Sequence, residues 1–204
     1  TVSAIAHDAG LPLLVDSTFT TPWLMKPMEH GADLVYHSAT KFLGGHGTVI
    51  GGLLVDSGRF DWDKSGRFPE LSQPYEGFHG MVFSEESSVG AFLLRARREG
   101  LRDFGACMSP HTAWLILQGI ETLSLRMERH VQNTQDIAEW LENHPDVASV
   151  NYSGLPSNPW YAAANKYAPR GVRAVLSFEL KRGVDAGRAF VNNLSLISHL
   201  ANIG

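Results

Sequence analysis

Val2, Ile5, Ala6 and Ala9 recur at helical spacing, and Gly10 supplies a stop after them. The apolar run Leu13 to Asp16 ends in an acid, the mark of a short strand buried on both faces. Pro27 to His30 predicts a short helix closed by Gly31, and Leu34 to Tyr36 a second buried strand. A polar turn, Ser38-Ala39-Thr40-Lys41, and a bend at Gly44, Gly45 and Gly47 separate that strand from a third, Val49 to Val55. Strands separated by helical or crossover pieces imply an α/β fold with a mostly parallel sheet. In such sheets functional groups gather beyond the carboxyl ends of strands, where Asp16 and the Ser38 turn both fall.

The pattern then changes. Asp56 to Phe83 has no sustained period, yet Trp62, Phe68, Tyr75 and Phe78 favour a folded excursion over a floppy loop. Ser84 to Gly100 predicts a helix, and Ser109-Pro110 reads as an N-cap and first position of another, running to Gln118. Leu123, Met127, Val131, Thr134, Ala138 and Leu141 form one stripe of a long helix ending near Pro145. A strand (Val147 to Tyr152), a helix (Pro159 to Tyr167), a strand (Val175 to Leu180) and a helix (Asp185 to Asn193) follow. Leu196 onward reads as a last strand. A domain change is expected near Gly119.

Composition narrows the function classes. With 44% hydrophobic, 19% charged and 10% aromatic residues among 204, the chain has the material for a core and is not disordered. A formal charge of −4 without a long basic stripe argues against nucleic acid. The single cysteine, Cys107, forms no internal disulfide, so the cytoplasm is the expected compartment. No apolar run approaches membrane-spanning length, and no basic, apolar leader opens the chain. The histidines lack H-E-x-x-H or Cys/His metal spacing, so no metal site is expected.

The chemistry concentrates at Lys41. A lysine just after a buried strand, between two hydroxyl residues and a glycine bend, is placed to act as nucleophile or base when desolvated. Asp16 closes the neighbouring strand, and a strand-end acid needs a partner. Together they suggest pyridoxal phosphate (PLP): an amine for the aldehyde, an acid for the pyridine nitrogen, and hydroxyls and turn amides for the phosphate. An opposite charge at about 3 Å contributes roughly 5 kcal/mol at an effective dielectric of 20, enough to keep that nitrogen protonated. Ser38-x-x-Lys41 also matches a Ser-Lys acyl enzyme, but S-D-N and K-T-G are absent and the glycines oppose the helix such a site needs. Arg126, Glu128 and Arg129 read as helix-surface pairs, and Arg95, Arg97, Arg98 and Arg102 as a solvated helix end.

V-D-S-T-F at Val15 to Phe19, H-S-A-T-K at His37 to Lys41, G-G-H-G at Gly44 to Gly47, E-T-L-S-L-R-M-E-R-H at Glu121 to His130 and S-H-L-A-N-I-G at Ser198 to Gly204 occur in this order. The set resembles the Cys/Met-metabolism family of PLP-dependent enzymes from end to end of the chain. The resemblance implies part of an aspartate-aminotransferase-like (type I) fold. Residues 1–119 would belong to the large PLP-binding domain and 120–204 to the smaller C-terminal α/β domain. It implies Lys41 as the Schiff-base lysine, Asp16 facing the pyridine nitrogen, and Ser38 and Thr40 on the phosphate. Asn202 would lie near the substrate carboxylate.

The Asp56 to Phe83 excursion and L-R-D-F-G-A-C-M-S-P at Leu101 to Pro110 resemble the O-acetylhomoserine thiol-lyase branch. Cystathionine synthases and lyases and methionine γ-lyases are the alternatives within the family. The branch implies γ-replacement on O-acetylhomoserine by sulfide or a thiol, giving homocysteine or methionine plus acetate, in homo-oligomers, usually tetramers. The family's ring-stacking tyrosine, glycine-rich phosphate turn and main carboxylate-binding arginine have no counterpart here. The chain is therefore expected to be the middle portion of a member, binding PLP poorly when alone.

Overall fold

In this computed structural model the described residues are 1–87 and 90–204. The chain forms two compact units, one of residues 1–17, 26–39 and 50–114 and the other of 18–25, 40–49 and 115–204.

The first unit opens with helix α1 (Val2–Asp8), and Gly10 at φ 68° turns the chain into strand β1 (Leu14–Asp16). A 3₁₀ turn at Pro27–His30 ends on Gly31 at φ 94° and leads into β2 (Leu34–Ser38). β1 and β2 are parallel, with Leu14 opposite Leu34 and Asp16 opposite Tyr36. β3 (Gly52–Asp56) returns antiparallel to β2, Leu34 facing Asp56. The α/β class stands, but the sheet is mixed rather than mostly parallel. A parallel return needs a crossover, usually a helix, and the chain between β2 and β3 is used instead by the Lys41 turn and the glycine bend.

Burial follows the same logic. β2 has a partner on each side and its Leu34 and Val35 are buried, whereas Leu14 of β1 and Val55 of β3 stay about half exposed. The expectation of a first strand buried on both faces is thus not met.

The excursion after β3 is folded, as its aromatic content predicts. Short helices α3 (Trp62–Ser65) and α4 (Pro69–Ser72) bring Leu71 and Trp62 into a core with Leu34, Phe83 and Ala91. Trp62 stacks on Phe92 at 5.7 Å between centroids and meets Phe60 and Phe68 edge-on at 4.8 and 5.2 Å. Helices α5 (Phe83–Glu86) and α6 (Ala91–Ala96) follow, then a wider helical turn at Arg97–Asp103. These replace the single helix expected over Ser84 to Gly100, of which residues 88–89 lie outside the described residues.

The arginines of this stretch are not simply solvated. Arg95 donates to both carboxylate oxygens of Glu99 (3.1 and 2.7 Å) and lies over the Tyr75 and Phe83 rings. Arg98 and Arg102 lie over Phe78. Guanidinium planes stack on aromatic faces, and the excursion offers those faces.

The division between the units falls inside α7 (Pro110–Glu121), whose Thr112 N–H donates to Ser109 Oγ at 3.1 Å, as a Ser-Pro start predicts. In the second unit, α2 (Thr21–Leu24) packs on the long helix α8 (Leu123–Glu142), which buries Leu123, Met127, Thr134, Ala138 and Leu141. Strand β4 (Val147–Asn151) pairs antiparallel with β5 (Ser177–Leu180), with α9 (Tyr161–Tyr167) between them in sequence. Helix α8 packs on β4, and α10 (Gly183–Asn192) on β5. Tyr152 is fully buried beside Ala138, Leu155 and Val172, and its hydroxyl donates to the Arg173 carbonyl at 3.1 Å. Residues 196–204 form no strand, because no described strand pairs with them. Among the described residues no helix is long and apolar enough to cross a membrane.

Phe83, fully buried at the centre of the first unit's core, sets a stability test. Phe83→Ala is expected to cost about 3–5 kcal/mol, read as a lower urea midpoint by tryptophan fluorescence. A loss below about 1 kcal/mol would contradict this placement of the core.

Candidate functional site

The site residues are best built from the strand ends. Because β1 and β2 run parallel, their carboxyl ends point the same way, and Ser17 N–H continues the ladder by donating to the Tyr36 carbonyl at 2.9 Å. Asp16 therefore closes one strand beside the end of the next. Its side chain is exposed rather than buried. One flank of β1 has no neighbouring strand among the described residues, which leaves this end of the strand open to solvent.

His37, one residue before the end of β2, is buried, and its Nδ1 donates to the Ser17 carbonyl at 3.1 Å. A carbonyl can only accept, so Nδ1 carries the proton and the neutral ring leaves Nε2 bare. Burial pushes the His37 pKa below its ordinary 6.5, the largest effect, while the Ser17 bond and the Asp16 charge oppose it. The sequence treats this histidine as ordinary hydrogen-bonded use, and the structure agrees.

Ser38 ends β2 half-buried, and the chain passes through Ala39 into a tight turn over Ala39–Leu43. Thr40 and Lys41 belong to the second unit, and both are half-buried. Lys41 leaves the helical conformation at φ −93°, ψ −128°. That break opposes the helical Ser-x-x-Lys of an acyl enzyme. Lys41 Nζ donates to Asn202 Oδ1 at 2.7 Å and to the Ala201 carbonyl at 3.4 Å. Two residues 161 positions apart thus meet directly.

The backbone after Lys41 is closely packed. Gly45 (φ 68°) donates its N–H to the Lys41 carbonyl at 2.8 Å. A Cβ on Gly204 would lie 2.5 Å from the Phe42 nitrogen and 2.6 Å from the Lys41 carbonyl carbon. Gly119, on α7, would meet the Leu43 carbonyl oxygen at 2.6 Å. Helix α8 contributes Arg126, which donates to the Phe42 carbonyl at 2.8 Å and the Gly119 carbonyl at 2.7 Å. Its expected role in a helix-surface pair is therefore corrected: the side chain turns inward to the backbone carbonyls of Phe42, Leu43 and Gly119. Sequence spacing alone missed it; its one trace was its place beside the buried stripe of Leu123 and Met127.

Thr21 was also missed. It is fully buried with φ 54°, one of two described non-glycine residues at positive φ, and its Oγ1 accepts from Trp23 N–H at 3.3 Å. A β-branched residue held there costs about 1–3 kcal/mol, a strain that local sequence does not announce. Among the described residues, no group of three or more His, Cys, Asp or Glu side chains could hold a metal ion.

The residue types suit PLP in kind: the first unit carries a carboxylate at Asp16 and a hydroxyl at Ser38, and the second a hydroxyl at Thr40 and an amine at Lys41. Comparison with known proteins agrees in class. The family model described as "Cys/Met metabolism PLP-dependent enzyme" matches residues 1–204, and the chain belongs to that family. A homocysteine synthase of Schizosaccharomyces pombe is 53% identical over all of this chain and 48% of its own length. An O-acetyl-L-homoserine sulfhydrylase of Leptospira meyeri is 48% identical, again over the whole chain and 48% of its own length.

A crystal structure from Campylobacter jejuni, provisionally assigned as an O-acetylhomoserine (thiol)-lyase and holding pyridoxyl-lysine monophosphate, superposes with a TM-score of 0.90 at 34% identity. It covers 98% of this chain and 50% of its own. The fold is thus part of the aspartate-aminotransferase-like type. The chain spans about half the length of the curated relatives it matches.

His37 generates a pH test. With its folded pKa below 6.5, the unfolded chain takes up the proton first as pH falls. Its contribution to stability is complete above that value and is lost as pH falls through the folded pKa. The urea midpoint should therefore drop as pH falls below 6.5, and His37→Gln should flatten that slope. An unchanged slope in the variant would remove His37 as the cause.

Proposed function

We propose that the whole protein replaces the acetoxy group of O-acetylhomoserine with sulfide or a thiol, releasing acetate and forming homocysteine or methionine. PLP, when bound, supplies the electron sink that makes the Cα and Cβ protons removable. Lys41 would hold the aldehyde at rest and, once displaced by the substrate amine, carry the Cα proton. General-base help of this kind is typically worth about 10² to 10⁴-fold. Asp16 would keep the pyridine nitrogen protonated, Ser38 and Thr40 would receive the phosphate, and Asn202 would lie near the substrate carboxylate. A second proton would leave Cβ, acetate would depart from Cγ with its bonding pair, the thiolate or hydrosulfide would add there, and protons would then be returned to Cβ and, from Lys41, to Cα. In the same reading, residues 1–119 are part of the large cofactor domain and 120–204 part of the smaller one, in a homo-oligomer.

The observation that carries this reading is the Lys41 amine. It sits within the tight turn after β2 and is oriented by an amide oxygen and a backbone carbonyl rather than by a carboxylate. A surface turn lysine would have no such fixed direction. The names of the relatives at 48–53% identity support the sulfhydrylase branch over the cystathionine enzymes.

The test is borohydride reduction of the whole protein with PLP, followed by peptide mass mapping. The expected result is a pyridoxyl group on the peptide holding Lys41, and loss of O-acetylhomoserine turnover by at least about 10²-fold in Lys41→Ala. A label elsewhere, or turnover retained in the variant, would sink the assignment.

A further inference from the structure

Arg126 lies on α8, half-buried, and its guanidinium faces the peptide units that follow Lys41. Nη1 donates to the Phe42 carbonyl at 2.8 Å, and Nη2 reaches that of Leu43 at 3.5 Å. Nη2 also donates to the Gly119 carbonyl at 2.7 Å, and Nε to Thr122 Oγ1 at 3.1 Å. Every one of these acceptors is uncharged. Among the described residues no carboxylate pairs with this guanidinium, and burial pulls its pKa down, the cost of taking the charge partly out of water.

A helix-surface arginine would not accept that cost without a geometric return. The return is the fork: one planar group with five donors can hold carbonyls of two different segments at once, which an ammonium cannot do. The surroundings leave the fork no slack. A Cβ on Gly45 would lie 2.5 Å from the Arg126 Cζ, and the His130 ring meets Phe42 edge-on at 5.5 Å between centroids. Gly119 and Gly204 close on the same backbone from other directions.

We propose that Arg126 is a positioning residue for Lys41. By holding the Phe42 and Leu43 carbonyls it fixes the Cα of Lys41 and the direction in which the side chain leaves the backbone. The inference rests on Lys41 being the cofactor lysine. A lysine that must first hold an aldehyde and later move a proton works from two side-chain conformations, and a fixed Cα is the pivot common to both. Misplacement of a reacting group by about 1 Å costs about 10²-fold in rate, so a slack pivot is read directly in kcat.

The experiment compares Arg126→Gln, Arg126→Lys and the exposed neighbour Glu128→Gln in the whole holoenzyme. Three readouts are taken: kcat and KM, the pH midpoint of the visible absorbance of bound PLP, and amide hydrogen exchange at Phe42 to Gly45. Arg126→Gln is expected to lower kcat about 10- to 100-fold with KM within about threefold, and to move the absorbance midpoint by about half a pH unit or more. Exchange at Phe42 to Gly45 should rise about tenfold or more. Arg126→Lys, which keeps the charge and loses the fork, should behave like the glutamine variant, and Glu128→Gln like wild type.

Full activity and an unmoved midpoint in either arginine variant would overturn the proposal, even with faster exchange, since that result describes a clamp without influence on Lys41. If Arg126→Gln fails to fold, Arg126→Lys decides alone. If wild-type protein takes no pyridoxyl label at Lys41, the functional reading fails, while exchange in the cofactor-free protein still decides whether Arg126 holds the turn: unchanged exchange overturns that too.

Discussion

The carbonyls that end the Lys41 turn are the constraint on which the second unit is arranged. A turn that stops after one revolution leaves its last carbonyls without intrahelical donors, and half-buried carbonyls cannot rely on water. Arg126 supplies the donors from α8, and a hydrogen bond to a charged group contributes about 1.5–3 kcal/mol. Helix α7 approaches the same backbone closely at Gly119, where a side chain would collide with the Leu43 carbonyl. The C-terminal residues meet the other side, with Gly204 against Phe42 and Asn202 on the lysine amine. A flexible four-carbon side chain is thereby carried on a backbone that has little freedom.

The first unit solves a different problem. Its sheet has three strands and only β2 is flanked on both sides, so the sheet alone buries too little. The aromatic excursion makes up the difference: Trp62, Phe83 and Leu71 pack beneath Leu34, and Arg95 joins Tyr75, Phe83 and Glu99 in one cluster. The same unit holds the parallel pairing of β1 with β2. That pairing places Asp16 at the end of one strand and Ser38 at the end of the other, with His37 tied to Ser17 between them.

Much of this was legible beforehand because it depends on neighbours in sequence. Gly10 and Gly31 at positive φ, the Ser109 cap of α7 and the apolar stripe of α8 follow from local steric and hydrogen-bonding rules. The residue types at Lys41, Asp16, Ser38 and Thr40 and their order were enough to suggest the cofactor class. Strand direction was not legible, because a glycine bend and a crossover read alike until the chain is followed in space. The burial of β1 was misjudged for a related reason: an apolar run does not state how many neighbours its strand will have.

The order of residues by itself therefore determined most of the elements, though neither one helix over Ser84 to Gly100 nor a strand from Leu196, and it determined the family. Only the tertiary structure decided which side chains meet. Lys41 and Asn202 are separated by 161 positions, and Arg126 and Phe42 by 84. No periodicity spans such distances. The Arg126 contacts exist because buried carbonyls must find donors, and the packing of α7, α8 and the C-terminal segment determines which groups come within reach.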